Sequence, residues 1–229
     1  MRIGIIAAMN VEMNILLDNI KDVKEEKFLG YSFHSGVING NEIVLVESGV
    51  GKVNASVVTT ILIYEYCVEL IINTGIAGGV NDVAKRDVVI ASGLSWHDFD
   101  IRIFGYQYGQ VPEMPKVLLP SPEGVMLVKS VLNKLHINYK EGIVVSGDTF
   151  VLNRDALKQV EDLHPLACEM EGTGVAQVAT KAGVDFVVLR YISDVVGEEN
   201  QEDDYLEFED EMANMSANIC LKLIENIEA

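Results

Sequence analysis

The chain has 229 residues, 49% of them hydrophobic, with a mean hydropathy of +0.22, enough to bury the core of one large domain spanning residues 1–229. Its formal net charge of −18 excludes nucleic acid and anionic membrane surfaces as partners, because both call for a basic footprint. No apolar run approaches the roughly 18 residues of a membrane span, the apolar start is too short for a signal peptide, and Cys67, Cys168 and Cys220 lack metal-like spacing and lie in apolar stretches; a soluble cytoplasmic protein is expected.

In chain order, residues 3–6 predict a first strand, followed by a helix over 11–20 with Met13, Leu16, Leu17 and Ile20 on one face. A strand at 43–46 leads through Gly49-Val50-Gly51-Lys52 into a helix over 53–66. Strands at 70–72 and 88–90 follow, the first running into Gly75-Ile76-Ala77-Gly78-Gly79. A helix over 123–135 starts behind Pro122, a strand occupies 143–145, and a helix covers 154–163. The run 165–168 reads as a strand that delivers Glu169-Met170-Glu171, a small-residue helix covers 172–182, and a strand at 186–192 ends on Ser193-Asp194. The last helix lies within 205–227, with Met212, Met215, Ile219, Leu223 and Ile227 at helical spacing. Continuous apolar strands alternating with helices predict a layered, largely parallel α/β sheet. The acidic run 198–211 reads as a solvated loop and helix start, although its two rings, Tyr205 and Phe208, could close over an apolar ligand.

Two successive strands thus release carboxylates at their carboxyl ends, where open α/β sheets bind ligands. Arg190 lies in a buried-looking strand and needs a carboxylate partner, with Glu12, Glu171 and Asp194 as candidates. Three carboxylates and one arginine suit chemistry on a neutral substrate, in which one group takes a proton from water, one gives a proton to a leaving group and one holds hydroxyls. The turn at Gly49–Gly51 could bind a phosphate or only open a helix. The glycines from Gly75 to Gly79 either let backbone amides approach a ligand or form a tight turn. Glu12, in the first turn of its helix, could equally complement the helix dipole. His34, His97, His136 and His164 have no paired ligand spacing, so no metal is expected.

The motifs together resemble those of the 5'-methylthioadenosine/S-adenosylhomocysteine nucleosidases, within the nucleoside phosphorylase superfamily. The pieces are Ile3-Gly4-Ile5-Ile6-Ala7-Ala8-Met9 with Glu12, Ser48-Gly49-Val50-Gly51-Lys52-Val53, and Ile71-Ile72-Asn73-Thr74-Gly75 with Ala77-Gly78-Gly79. Next come His97-Asp98, Phe104-Gly105-Tyr106 with Tyr108-Gly109-Gln110, and Val145-Ser146-Gly147-Asp148 with Phe150. Glu169-Met170-Glu171 and Arg190 with Ile192-Ser193-Asp194 complete a collinear set over nearly the whole chain.

The resemblance implies one three-layer α/β domain around a mixed, twisted sheet flanked by helices, assembled as a homodimer, that hydrolyses the N-glycosidic bond of adenine thioribosides without metal or organic cofactor. Glu12 would activate water, Asp194 would protonate adenine N7, and Arg190 would orient Glu12 and the water. Glu171 would hold the ribose hydroxyls, with Met170 packed on the sugar. Phe150 would stack on the base and Val151 would read its edge through backbone groups. Met9, Val50, Ile76, Ala77, Gly78, Glu169, Ser193 and Tyr205 would complete the pocket. Ile101, Phe104 and Pro112 would cover the neighbouring subunit's alkylthio pocket.

The chain departs from the family pattern at Ile76, where serine is usual, at Tyr191, where a small residue is common, and at Ala7. Strand alternation places Tyr191 opposite Arg190. A nucleoside phosphorylase, or a nucleoside-binding protein with reduced turnover, is the alternative. An acidic Glu12 and Asn73 in place of an arginine favour water over phosphate as the nucleophile.

Overall fold

The computed structural model describes residues 1–8 and 10–227, apart from the side chains of Asn10, Val11, Glu12, Phe208, Glu209 and Asp210. The chain runs β1 (Arg2–Ala7), α1 (Asn10–Leu17), β2 (Lys21–Phe28), β3 (Tyr31–Ile38), β4 (Asn41–Glu47), α2 (Lys52–Tyr64), β5 (Leu70–Asn73), β6 (Ile76–Gly79) and β7 (Val88–Trp96). It continues with α3 (Pro122–Lys134), β8 (Tyr139–Ser146), β9 (Pro165–Glu169), α4 (Gly172–Ala182), β10 (Asp185–Val195) and α5 (Gln201–Asn226). Arg102–Phe104 and Arg154–Leu163 are 3-10 segments.

The ten strands form one sheet in the order β2-β3-β4-β1-β5-β10-β6-β9-β8-β7, and a further pairing of β10 with β7 closes the last five strands on themselves. The apolar strands β1, β4, β5 and the first half of β10 pair in parallel. The sheet is mixed: among the described residues six of the ten pairings are parallel, in keeping with the largely parallel pattern expected, while β2–β3, β3–β4, β6–β9 and β7–β10 are antiparallel. The hairpin β2–β3 escaped the hydrophobic pattern because β2 is a charged edge strand, nearly all of it exposed. Its two-residue turn, Leu29-Gly30, has φ of 51° and 89°, the left-handed geometry that matches strand twist.

Alternation along the strands sends side chains into two large cores, with a smaller third cluster around Val145, Val160 and Cys168. Ile3, Ile5, Val187, Leu189 and Tyr191 pack with α1, α3 and α5 on one face. Ile6, Ile71, Phe186, Val188 and Ile192 pack with α2 and α4 on the other. The result is a helix–sheet–helix sandwich. Its longest helix, α5, begins at Gln201, earlier than the apolar spacing implied. Cys168 and Cys220 are buried, but Cys67 is exposed, not a core residue, at a position with φ of 51°. Among the described residues no helix is long and apolar enough to cross a membrane.

Candidate active site

The carboxylates of β9 and β10 meet for a reason other than a shared strand direction. β10 is parallel to β6, and β6 is antiparallel to β9, so β9 and β10 run oppositely. Both are in register with one residue of the strand between them: Gly78 faces Asp194 on one side and Cys168 on the other. A Cβ at Gly78 would lie 3.2 Å from Asp194 Oδ2 and 3.2 Å from Val196 Cγ2. The glycine therefore gives the Asp194 carboxyl its space.

Arg190 is fully buried and pairs with Glu169, Nη2 to Oε2 at 2.6 Å. Among the described residues neither Glu171 nor Asp194 takes that role, contrary to expectation, and the Glu12 side chain lies outside them. The same nitrogen donates to Asn73 Oδ1 at 2.5 Å, and Nη1 donates to Leu189 O at 2.8 Å. Glu169 Oε2 also accepts the backbone N–H groups of Glu171 and Gly172, at the start of α4, at 3.0 and 2.8 Å, while Ser146 Oγ donates to Oε1. Burial pushes this carboxyl up, but the Arg190 charge and the converging donors outweigh it and hold it below the usual range. Both Glu169 oxygens are thus engaged by the protein.

Glu171 differs. Burial, with the Glu169 charge beside it, pushes its carboxyl up to about 7. Oε1 accepts the Gly51 N–H at 2.7 Å, and the next amide, of Lys52, donates to Asp148 Oδ1 at 2.9 Å. The anions at the start of α2 are therefore the protein's own carboxylates, where sequence had offered a phosphate. Gly51 has φ of 104°, a conformation that a side chain would strain. Lys52 Nζ bridges to Asp98 at 2.6 Å and fixes this turn to the end of β8 through the Asp148 N–H, which donates to Asp98 Oδ2 at 2.9 Å.

Asp194 follows a bulge. The register between β10 and β6 slips between Ile192 and Asp194, which turns the carboxyl toward the cavity as bulges beside sites commonly do. Ser193 Oγ donates to Oδ1 at 2.6 Å and Gln201 Nε2 donates to Oδ2 at 2.8 Å. Burial nevertheless raises its pKa against these two donors. Ala8, Val50, Ile76, Ala77, Gly78, Phe150, Met170, Glu169, Glu171, Ser193, Asp194 and Tyr205 share one cavity of about 100 Å³. Within it the Phe150 and Tyr205 rings meet edge to face, centroids 5.3 Å apart.

Most of the pocket residues expected from sequence are therefore together, and Val151 lines an adjoining space of about 40 Å³ with Gln201. Met9 lies outside the described residues, as do the Glu12 and Phe208 side chains. Ile101, exposed Phe104 and exposed Pro112 belong to the segment after β7 and do not line the cavity. Tyr191 faces away from Arg190 into the α5-side core, in register with Ile76. Its buried hydroxyl has no partner among the described residues. Sequence reasoning missed Gln201, which stands next to Asn200 in an acidic run, and the Asp98–Lys52–Asp148 bridge. Only burial and long-range pairing distinguish them. Among the described residues, no group of three or more His, Cys, Asp or Glu could hold a metal ion.

A family model described as the phosphorylase superfamily matches residues 2–225. A 5'-methylthioadenosine/S-adenosylhomocysteine nucleosidase of Bacillus pumilus (strain SAFR-032) is 36% identical over 232 residues, covering 100% of each chain. The solved S-adenosylhomocysteine nucleosidase of Streptococcus pyogenes, in complex with 5-methylthiotubericidin, is similar at TM-score 0.94 and 38% identity, over 100% of this chain and 98% of that one. A 5'-methylthioadenosine/S-adenosylhomocysteine nucleosidase of Colwellia psychrerythraea 34H, in complex with adenine, is similar at TM-score 0.91 and 33% identity, over 100% and 98%.

Proposed function

Because the chain belongs to the 5'-methylthioadenosine/S-adenosylhomocysteine nucleosidase family of the phosphorylase superfamily, we propose that it hydrolyses the N-glycosidic bond of those two adenine thioribosides and releases adenine. The observation that carries the reading is a pair of buried carboxyls, both with raised pKa, in one cavity that two aromatic rings also line. Water attacks C1', the C1'–N9 bond breaks, and its electron pair leaves with the base. Asp194 gives its proton to adenine N7, so the base departs neutral, and Glu12 takes the proton of the water.

Burial suits Asp194 to this task, because a carboxyl with raised pKa keeps its proton nearer neutral pH. Glu171 accepts the ribose hydroxyls alongside the Gly51 N–H, and Met170 packs on the sugar. Phe150 stacks on the base, and Val151 reads its edge. Arg190 orients Glu12 and the water, and its pairing with Glu169 and Asn73 keeps the guanidinium in place. Glu169 thus acts through Arg190 and the start of α4.

The working unit is a homodimer in which Ile101, Phe104 and Pro112 cover the partner's alkylthio pocket. Ile103 and Phe104 are 87% and 75% exposed. An open groove of about 400 Å³ is lined by Val53, Val57, Trp96, Phe99 and Val111 together with Lys52, Ser56, Thr60 and Gln177, and its apolar part is surface of the kind that marks an interaction face.

Incubation with methylthioadenosine in phosphate-free buffer is expected to yield adenine and the free thioribose. Release of adenine only on addition of phosphate, or none at all, overturns the reading.

A further inference from the structure

Gln201, the first residue of α5, is 4% exposed, and all three polar positions of its carboxamide are used. Oε1 accepts the Gly197 N–H at 2.9 Å, while Nε2 donates to Val151 O at 2.9 Å and to Asp194 Oδ2 at 2.8 Å. This is the one orientation of the amide in which every donor faces an acceptor. Two N–H bonds from a single planar nitrogen thus span a backbone carbonyl and a carboxylate at the base end of the cavity. An exocyclic amino group on a purine carries the same pair of donors on the same kind of planar nitrogen.

Resting on the nucleosidase reading, we infer that Gln201 is an internal stand-in for the amino group of the leaving base, occupying its two acceptors until substrate displaces it. Three observations agree. The two adjoining cavities are small, about 100 and 40 Å³, against the roughly 300 Å³ at the lower end of small-molecule pockets. The carboxamide lines the smaller cavity together with Phe150, Val151 and Asp194. It is joined to β10 through Gly197, a residue with φ of 83°.

The arrangement also bears on the acid. The Nε2 bond to Oδ2 favours the carboxylate form of Asp194. An arriving amino group takes over the bonds to Val151 O and Oδ2 and displaces the carboxamide. After cleavage the carboxamide competes with adenine for the same acceptors, which favours release of the product.

The test is calorimetric binding of adenine, and of purine without the amino group, to the wild type and to Gln201→Met, a substitution of similar length that lacks the donors. Gln201→Ala serves as a second variant, and thermal unfolding confirms the fold of each. The wild-type affinity for adenine includes the loss of two hydrogen bonds, one of them to a carboxylate. Adenine is therefore expected to bind both variants about tenfold more tightly, and its product inhibition of methylthioadenosine cleavage to strengthen by the same factor. Purine leaves the place of the amino group to Gln201, so its affinity does not rise. Unchanged or weaker adenine binding, or an equal gain for both bases, overturns the inference. Absence of adenine release by the wild type, with the binding difference intact, would instead remove the nucleosidase reading alone.

Discussion

Arg190 Nη2 and Glu169 Oε2 lie 2.6 Å apart, the two side chains 2% and 3% exposed, and this ion pair joins the middle of β10 to the end of β9. Burying two charges is unfavourable unless every remaining donor and acceptor is met. Here Asn73, Leu189, Ser146 and the first amides of α4 supply most of those partners. Glu169→Ala leaves the guanidinium without its carboxylate and is expected to lower stability by about 3–5 kcal/mol, read as a lower urea midpoint. A midpoint equal to that of the wild type would show that the pair is dispensable.

Glu171 sets a pH dependence of stability. Its pKa rises from an ordinary 4.5 to about 7 on folding, so between those values the folded state holds the proton more tightly than the unfolded chain. The stability it contributes is complete below about 4.5, declines as pH rises through this window and is flat above about 7. Glu169 has the opposite sign, since its lowered pKa contributes above the unfolded value and is lost on acidification. Melting temperatures of wild type and Glu171→Gln should agree near pH 4.5, where Gln mimics the protonated carboxyl, and separate as pH rises to about 7, with the wild type falling relative to the variant. Parallel curves would contradict the raised pKa.

Hydroxyl groups bind better to a carboxylate than to a carboxylic acid, so the same titration reports on the sugar. KM for methylthioadenosine is expected to fall as pH rises through about 7 in the wild type and to lose that dependence in Glu171→Gln. A KM without pH dependence in the wild type would remove Glu171 from the ribose.

Asp194→Asn keeps the shape of the site and both of its neighbours but cannot donate an acidic proton. The expected loss in kcat is about 10²–10⁴-fold, the range of general acid catalysis, with little change in melting temperature. Gly78→Ala reaches the same group from the side, since the added methyl meets Oδ2 at 3.2 Å. Its kcat should fall while KM moves less. Unaltered kcat in both variants would exclude Asp194 as the acid.

Phe104→Ser removes an exposed ring that the proposed homodimer would bury over the partner's alkylthio pocket. Sedimentation of the wild type should give a dimer. The variant should lose kcat/KM for methylthioadenosine while binding free adenine normally. A monomeric wild type with full activity would refute the shared site.

The strands of the central sheet were legible because each is a short apolar run buried on both faces. The hairpin β2–β3 was not, because an edge strand such as Lys21–Phe28 faces water and carries charge. The short strand β6 looked like a glycine turn, since Ile76–Gly79 has little side-chain pattern and pairs through its backbone. Most of the expected cavity residues were recognisable through their motifs. The partner of Arg190 was not, since Glu169, Glu171 and Asp194 are equivalent as charges and only geometry separates them.

The amino-acid sequence by itself determined the alternation of strands and helices, the two carboxylate-bearing strand ends and the family to which they belong, because local periodicity and short motifs are written in neighbouring residues. Tertiary structure alone decided that β9 and β10 run in opposite directions and converge on Gly78. It also decided that the buried arginine pairs with Glu169 while Glu171 and Asp194 have raised pKa values, and that Gln201 reaches Asp194 and Val151. Those relationships depend on pairing register and desolvation between segments far apart in the chain, which no local pattern encodes.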